Sequence, residues 1–273
     1  MSKLASGKRL GFWYLLCVGL LKPWLMLLTK RDWQGVENLR AEVRPDGSQE
    51  GVVVCPNHIS WFDPLVSAHF CYDNGRPPRF LGKESVFRVP VVGWLLRNAG
   101  QIPVYRETAD AANAVRDAIA AVKRGECVVL YPEGTITRDP EVWPMRGKTG
   151  AARVALLSGA PLIPVAMWGP EAVMRPYVRE FRILPRKTMQ VVVGPAVDID
   201  DLRGKPLGAD VLQEATDRLV DSIVVLLEGL RVETAPQERF DFKAYRAAQA
   251  ADAGASSGRS KSSGSNDEER SQD

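Results

Sequence analysis

Residues 102–131 read IPVYRETADAANAVRDAIAAVKRGECVVLY, and this stretch decides the fold class. An apolar triplet, Ile102-Pro103-Val104, precedes a segment in which Ala111, Val115, Ala118, Ile119 and Val122 recur at helical spacing and share one face. Thr108 can cap a helix over residues 108–124, and Gly125 can end it. Cys127-Val128-Val129-Leu130-Tyr131 is then an unbroken apolar run of strand length. Strand, helix and strand in succession form a unit whose strands pair in parallel, with the helix packed on the sheet.

The same alternation extends outward from this unit. Val52-Val53-Val54-Cys55, ended by Pro56, is a buried strand; Phe80-Leu81 is a shorter one. Trp33 to Leu39 is a linker or a short strand. Residues 148–158 are helical, 161–168 and 189–194 are strands, and 210–230 is a long amphipathic helix. We therefore expect an α/β fold, a central mostly parallel or mixed sheet flanked by helices, over residues 33–235. An apolar segment, residues 1–32, precedes it. A C-terminal extension, residues 236–273, follows; from about residue 250 it is rich in Ser, Gly and charge, and disorder is expected.

The N-terminal segment carries a run at residues 10–28, LGFWYLLCVGLLKPWLMLL, interrupted by Lys22-Pro23. No small-residue cleavage site follows it, which argues against a signal peptide, and the uninterrupted apolar part falls short of the about 20 residues of a spanning helix. The reading is a helix, a break at the proline, and a second short helix lying in one leaflet, with Trp13, Tyr14 and Trp24 at headgroup depth. Lys30 and Arg31 would meet anionic headgroups at the cytoplasmic face of a cell membrane, in a peripheral or monotopic protein. A pair of buried core helices is the alternative.

Composition narrows the chemistry. A net charge of +3 on 273 residues does not point to nucleic acid. Cys17, Cys55, Cys71 and Cys127 lack CxxC spacing, so neither a disulfide framework nor a zinc site is expected, and a reducing compartment fits. His58 and His69 are the only histidines, which leaves no basis for a multi-histidine metal site.

Three strand ends carry the reactive residues. Pro56-Asn57-His58-Ile59-Ser60-Trp61-Phe62-Asp63-Pro64 follows the first buried strand, where α/β folds place their working loops. Histidine can accept a hydroxyl proton once a partner fixes its tautomer, and Asp63 can be that partner. A continuous helix would separate the two by about 140°, so the spacing requires a turn. Asp63-Pro64 also suits a helix N-cap with proline at the first position, and a lone histidine in a turn is commonly structural. Gly100 to Arg106 ends a strand in an arginine; Tyr131-Pro132-Glu133-Gly134-Thr135-Ile136-Thr137-Arg138-Asp139 ends another in a turn with charge. Acid, base and cation at one sheet edge suit an anionic substrate whose hydroxyl must be deprotonated.

Taken together these segments resemble the glycerolipid acyltransferases typified by the 1-acyl-sn-glycerol-3-phosphate (lysophosphatidate) acyltransferases. The resemblance rests on Asn57, His58 and Asp63; on Gly100, Ile102, Pro103, Val104 and Arg106; on Tyr131 through Thr135; and on the apolar block Leu162 to Val165. These blocks are ordered and span roughly residues 35–200. One position departs: the family often carries arginine after Glu-Gly-Thr, and Ile136 stands there, so Arg138 or Lys148 would supply the charge.

The resemblance implies transfer of a fatty acyl group from acyl-CoA or acyl carrier protein to the free hydroxyl of a lysophospholipid, in phospholipid biosynthesis, with no cofactor and no metal. His58 would be the general base and Asp63 its orienting carboxylate; Arg106, Glu133, Gly134, Thr135, Arg138 and Lys148 would bind substrate. Another lyso-glycerolipid or a glycolipid acceptor is the alternative, and a non-catalytic lipid-binding module a further one, since Arg175, Arg179, Arg182, Arg186 and Lys187 suit headgroups. Arg146-Gly147-Lys148-Thr149 is half a phosphate-binding loop, but Val142 occupies the required glycine position. A hydrolase using Cys55 is set against the packing a thiol has in an apolar run.

Overall fold

The computed structural model describes residues 10–39, 49–104, 110–178, 180–242, 244–247 and 249. Its strands are β1 (Thr29–Gln34), β2 (Val52–Pro56), β3 (Pro78–Lys83), β4 (Ile102–Val104), β5 (Cys127–Val129), β6 (Leu162–Trp168) and β7 (Lys187–Val193), in the sheet order β1-β7-β6-β2-β5-β3-β4. All neighbours pair in parallel except β6 and β7, which are antiparallel. The α/β expectation is met, as a mixed sheet. β1 begins at Thr29, so residues 29–32 belong to the sheet and not only to the apolar segment before it.

Strand alternation sorts the core into two layers. Val53, Cys55 and Val128 face one side, where they meet Ala118 and Val122 of α5 (Asp110–Lys123), Ala152 and Ala155 of α6 (Gly150–Ser158), and Leu219 and Ile223 of α8 (Ala209–Arg231). Val52, Val54 and Val129 face the other, against Leu25 of α1 (Phe12–Leu28) and Val66 and Phe70 of α2 (Asp63–Asp73). The buried line of α5 is Ala114-Ala118-Ala121-Val122, with Val115 and Ile119 half-buried at its rim. The expected stripe is thus rotated toward the small residues that let α5 approach the sheet. Thr108, the expected cap, lies outside the described residues.

The helix α1 is continuous from Phe12 to Leu28, with Pro23 inside it, which corrects the expected break into two helices. A proline ring strains the turn against the carbonyl four residues back, here that of Gly19, and forfeits one backbone bond. Side-chain anchors on both sides of Pro23 outweigh that loss. Tyr14 stacks on Tyr72, Trp13 packs edge-on against Trp94, and Leu25 enters the core. Lys22, the one charge in the helix, pairs with Asp73 at the end of α2. Among the described residues no helix is long and apolar enough to cross a membrane. Arg31 also reaches Asp73, at 3.3 Å, and stays exposed, whereas Tyr14 is buried against α2 and does not stand at headgroup depth. The tail expected to be disordered lies outside the described residues from residue 250 on.

β1 and β7 run opposite to the other five strands. Their N-terminal ends therefore open at the same sheet edge as the C-terminal ends of β2, β5 and β6. That edge receives the loop carrying His58, the turn carrying Glu133, the last turn of α1 and the segment that precedes β7.

Candidate active site

β2 ends at Pro56, and the chain leaves the sheet as an irregular loop before α2 starts at Asp63. Asn57 anchors the exit: its side chain accepts from the Met167 N–H at 2.7 Å and donates to the Met167 carbonyl at 3.1 Å, pinning the loop to β6. Beyond it the chain curls around one carboxylate oxygen. Asp63 Oδ2 accepts from the Ile59 N–H at 2.6 Å and the Ser60 N–H at 2.7 Å, and lies 2.8 Å from Nδ1 of His58. The turn that the five-residue spacing required is this one. Asp63 is fully buried; burial pushes its carboxyl up from the usual range, while the bonds from His58, Ser60 and Ile59 pull it back.

An ionised carboxylate only accepts, so this contact suits an imidazole with its proton on Nδ1, and such a neutral ring would keep the lone pair on Nε2. The imidazole is further bounded by Tyr131, whose ring stacks on it with centroids 4.2 Å apart and planes 25° from parallel.

Glu133 completes the loop from the other side. One oxygen accepts the His58 N–H at 2.8 Å, the other the Met145 N–H at 3.1 Å. Burial pushes this carboxyl up to about 8, with the two N–H bonds opposing the shift. The His58 carbonyl in turn accepts from the Thr137 N–H at 2.7 Å. His58 is thus held at its side chain by Asp63 and at its main chain by the turn after β5.

The other residues singled out in the sequence are distributed unevenly. Gly134 has φ +67°, which favours glycine, and a Cβ added there would lie 3.1 Å from Nζ of Lys148. The Lys148 side chain therefore lies across the Glu133-Gly134 turn. The Gly134 N–H donates to the Tyr131 carbonyl at 3.0 Å, so this donor serves the turn itself and not a phosphate. Thr135 is half-buried and Ile136 is buried. The Arg138 guanidinium stacks 3.4 Å above the Tyr177 ring and stands 5.5 Å from that of Phe242. Arg106 and Arg179 lie outside the described residues.

Two rival chemistries find no support in this geometry. Cys55 is completely buried in the middle of the sheet, and burial pushes its thiol far above the ordinary range. Gly147 packs on Thr216 and Val220 of α8, which leaves no open cradle for a nucleotide at Arg146-Gly147-Lys148. Among the described residues no group of His, Cys, Asp and Glu is arranged to hold a metal ion.

The partners of Glu133 and the placement of Tyr131 were not foreseen. Glu133 contacts backbone groups, which carry no residue-type signature. Tyr131 did offer one: an aromatic residue ending a buried strand at the same edge as the histidine.

The sequence pattern of the family described as Acyltransferase matches residues 30–168. The chain is 27% identical over 187 residues to the 1-acyl-sn-glycerol-3-phosphate acyltransferase of Borreliella burgdorferi, covering 67% of this chain and 69% of that protein. It is 30% identical over 146 residues to a chloroplastic 1-acyl-sn-glycerol-3-phosphate acyltransferase of Brassica napus, covering 53% of this chain and only 39% of the plant protein. A lyso-ornithine lipid O-acyltransferase of Pseudomonas aeruginosa is 31% identical over 129 residues, 46% of this chain and 47% of that protein. The fold is that of the crystal structure of the 1-acyl-sn-glycerophosphate (LPA) acyltransferase PlsC of Thermotoga maritima, with a TM-score of 0.60 at 20% identity over 82% of this chain and 81% of that one.

Replacing Glu133 by Gln should separate holding the loop from holding a substrate. One of the two N–H groups would then face an amide NH2, and kcat should fall about tenfold to a hundredfold while KM for the acceptor stays within about twofold. Steady-state kinetics check this; a rise in KM with kcat unchanged would assign Glu133 to the substrate instead.

Proposed function

Because the chain belongs to the Acyltransferase family, we propose that it transfers a fatty acyl group from a thioester donor, acyl-CoA or acyl carrier protein, to the free hydroxyl of a lysophospholipid, most plainly 1-acyl-sn-glycerol-3-phosphate. The observation that carries this reading is the 2.8 Å contact between His58 Nδ1 and buried Asp63, which leaves Nε2 as a base. Nε2 takes the proton of the acceptor hydroxyl as its oxygen attacks the thioester carbonyl carbon. The tetrahedral intermediate collapses, the C–S bond breaks, and the imidazolium returns the proton to the departing thiolate. Asp63 stabilises the imidazolium between those steps, and positioned base catalysis of this kind contributes about 10²–10⁴-fold. A thiol is a good leaving group, so neither a covalent enzyme intermediate nor a metal is invoked.

The acceptor's phosphate needs a cation. Ile136 offers none, and Arg138 is engaged with two aromatic rings. Lys148, lying over Gly134 beside the His58 loop, is the cation we assign to the headgroup, together with Arg106. A compact ammonium binds phosphate as a point charge and lacks the forked geometry of arginine. This difference favours tolerance of varied headgroups, and the lyso-ornithine lipid acceptor named for the Pseudomonas relative keeps a second acceptor class in view.

We further propose that the catalytic edge of the sheet rests on an anionic lipid surface. Trp24 and Leu27 of α1 are 63% and 62% exposed, and Trp61, in the His58 loop, is 61% exposed. Leu184 and Phe181, on the segment before β7, are also exposed, and Arg186 ties that segment to α1 through the carbonyls of Met26 and Thr29, at 2.9 and 2.7 Å. Exposed aromatic and aliphatic side chains beside Arg175, Arg182 and Arg186 suit a headgroup interface. A base at that edge meets a lysophospholipid without lifting it from the membrane.

A panel of acyl-CoA and acyl carrier protein donors against lysophosphatidate, lysophosphatidylinositol, lyso-ornithine lipid and glycerol phosphate, read by mass spectrometry, tests the chemistry. The wild type should acylate a lyso-acceptor, His58→Ala should lose about 10²–10⁴ in rate, and Lys148→Met should raise KM for phosphate-bearing acceptors about tenfold. Near-normal turnover in His58→Ala would end the mechanism; lipid binding with no turnover in any arm would favour the non-catalytic module. For the membrane, Trp24→Ser with Leu27→Ser should weaken partition onto phosphatidylglycerol-containing vesicles about tenfold, with Val225→Ser on α8 as the unaffected control. Equal partition of all three proteins would reject that surface.

A further inference from the structure

Tyr131 lies two residues beyond β5, in a position where its ring is fixed at both ends. The preceding Leu130 N–H donates to the Val54 carbonyl at 3.0 Å, which holds the main chain, and the Tyr131 hydroxyl lies 3.1 Å from Oγ of Ser67, one turn beyond Asp63 on α2. Ser67 Oγ is also 3.3 Å from Sδ of Met167, whose backbone is the one that Asn57 clamps. Asn57, Met167, Ser67 and Tyr131 thus form a chain of contacts that leaves the His58 loop and returns to the imidazole face. No bond of this chain touches His58 Nδ1 or its main chain, so Asp63 and Glu133 do not duplicate what the ring does.

From this geometry we propose that Tyr131 is a positioning residue for acyl transfer, its ring locking the rotation of the His58 imidazole and stabilising the imidazolium formed when Nε2 takes the acceptor proton. The inference rests on the reading of His58 as the base. A single bond from Nδ1 to Asp63 still allows the ring to twist about that contact. A stacked aromatic 4.2 Å away removes this freedom and aims Nε2 in one direction. The π face also favours a cation over a neutral ring, an effect that grows away from water. The phenol stays neutral through the cycle, since burial and the nearby Asp63 hold it well above its ordinary range. Among the described residues, the titratable groups shown in contact with His58 are Asp63 from α2, Glu133 at its main chain and the Tyr131 phenol, while Lys148 lies across the adjoining Gly134 turn.

The test uses the full-length protein with Tyr131→Phe, Tyr131→Leu and Tyr131→Met, the last filling comparable volume without a π face. Tyr131→Phe keeps the stacking ring and should retain kcat within about threefold. The Leu and Met variants should lose about tenfold to a hundredfold in kcat with KM for the acceptor within about twofold. With the π-face stabilisation of the charged ring removed, the acid limb of their kcat/KM profiles should move to lower pH by about half a unit. A merely packing role would move neither the limb nor kcat in a variant that melts at the wild-type temperature. Wild-type kcat and pH profile in a folded Leu or Met variant would overturn the proposal, as would a loss in Tyr131→Phe equal to that in Tyr131→Leu. Failure of the base assignment would be told apart by His58→Ala, which would then keep its turnover, whereas loss of turnover in His58→Ala beside wild-type kinetics in Tyr131→Leu and Tyr131→Met would overturn the role of the ring alone.

Discussion

One carboxylate oxygen organises the loop that carries His58. Asp63 Oδ2 gathers the N–H groups of Ile59 and Ser60 and the ring nitrogen of His58 within 2.8 Å, and Asp63 is itself fully buried. The same interaction thus shapes the turn and, in the proposed mechanism, selects the tautomer and supplies the counter-charge for an imidazolium. A buried carboxylate is stable only while donors surround it, which makes the loop conformation and the histidine geometry a single problem with a single solution. Removing the imidazole partner would leave that charge deep in the protein, away from water.

The sheet makes the arrangement possible. β2 and β5 lie side by side in parallel, so the segments leaving them emerge next to each other, and Glu133 reaches the main chain of His58 across 75 residues of sequence. β6, on the other flank of β2, presents Met167 to Asn57. Reversal of β1 and β7 then brings α1 and the segment before β7 to the same edge. Each residue is ordinary in isolation. Strand order turns three separate loops into one site.

The parts of this that were legible in the sequence are those written in side-chain type and period. The strand–helix–strand unit at residues 102–131 was readable because apolar spacing changes from helical to continuous at Gly125, and the four blocks carried the family. The His58–Asp63 pairing was legible as a spacing that demanded a turn. Other features were written in tertiary contacts. Pro23 reads locally as a helix break, and only the docking of Tyr14, Trp13, Leu25 and Lys22 carries the helix through it. Glu133 reads as a substrate-binding residue, but its two oxygens meet main-chain N–H groups that no side-chain pattern announces. The small-residue face of α5 was hidden for a related reason: alanines score weakly as a stripe, although close approach to a sheet selects them.

The central claim is the tautomer of His58 under the hold of Asp63. Long-range 1H–15N correlation spectra of the imidazole rings, with His58 assigned by comparison with His58→Ala, measure it directly. The account predicts a neutral ring protonated at Nδ1, with that proton shifted strongly downfield, and an unprotonated Nε2. A ring protonated at Nε2 instead, with no downfield Nδ1 proton, would contradict it.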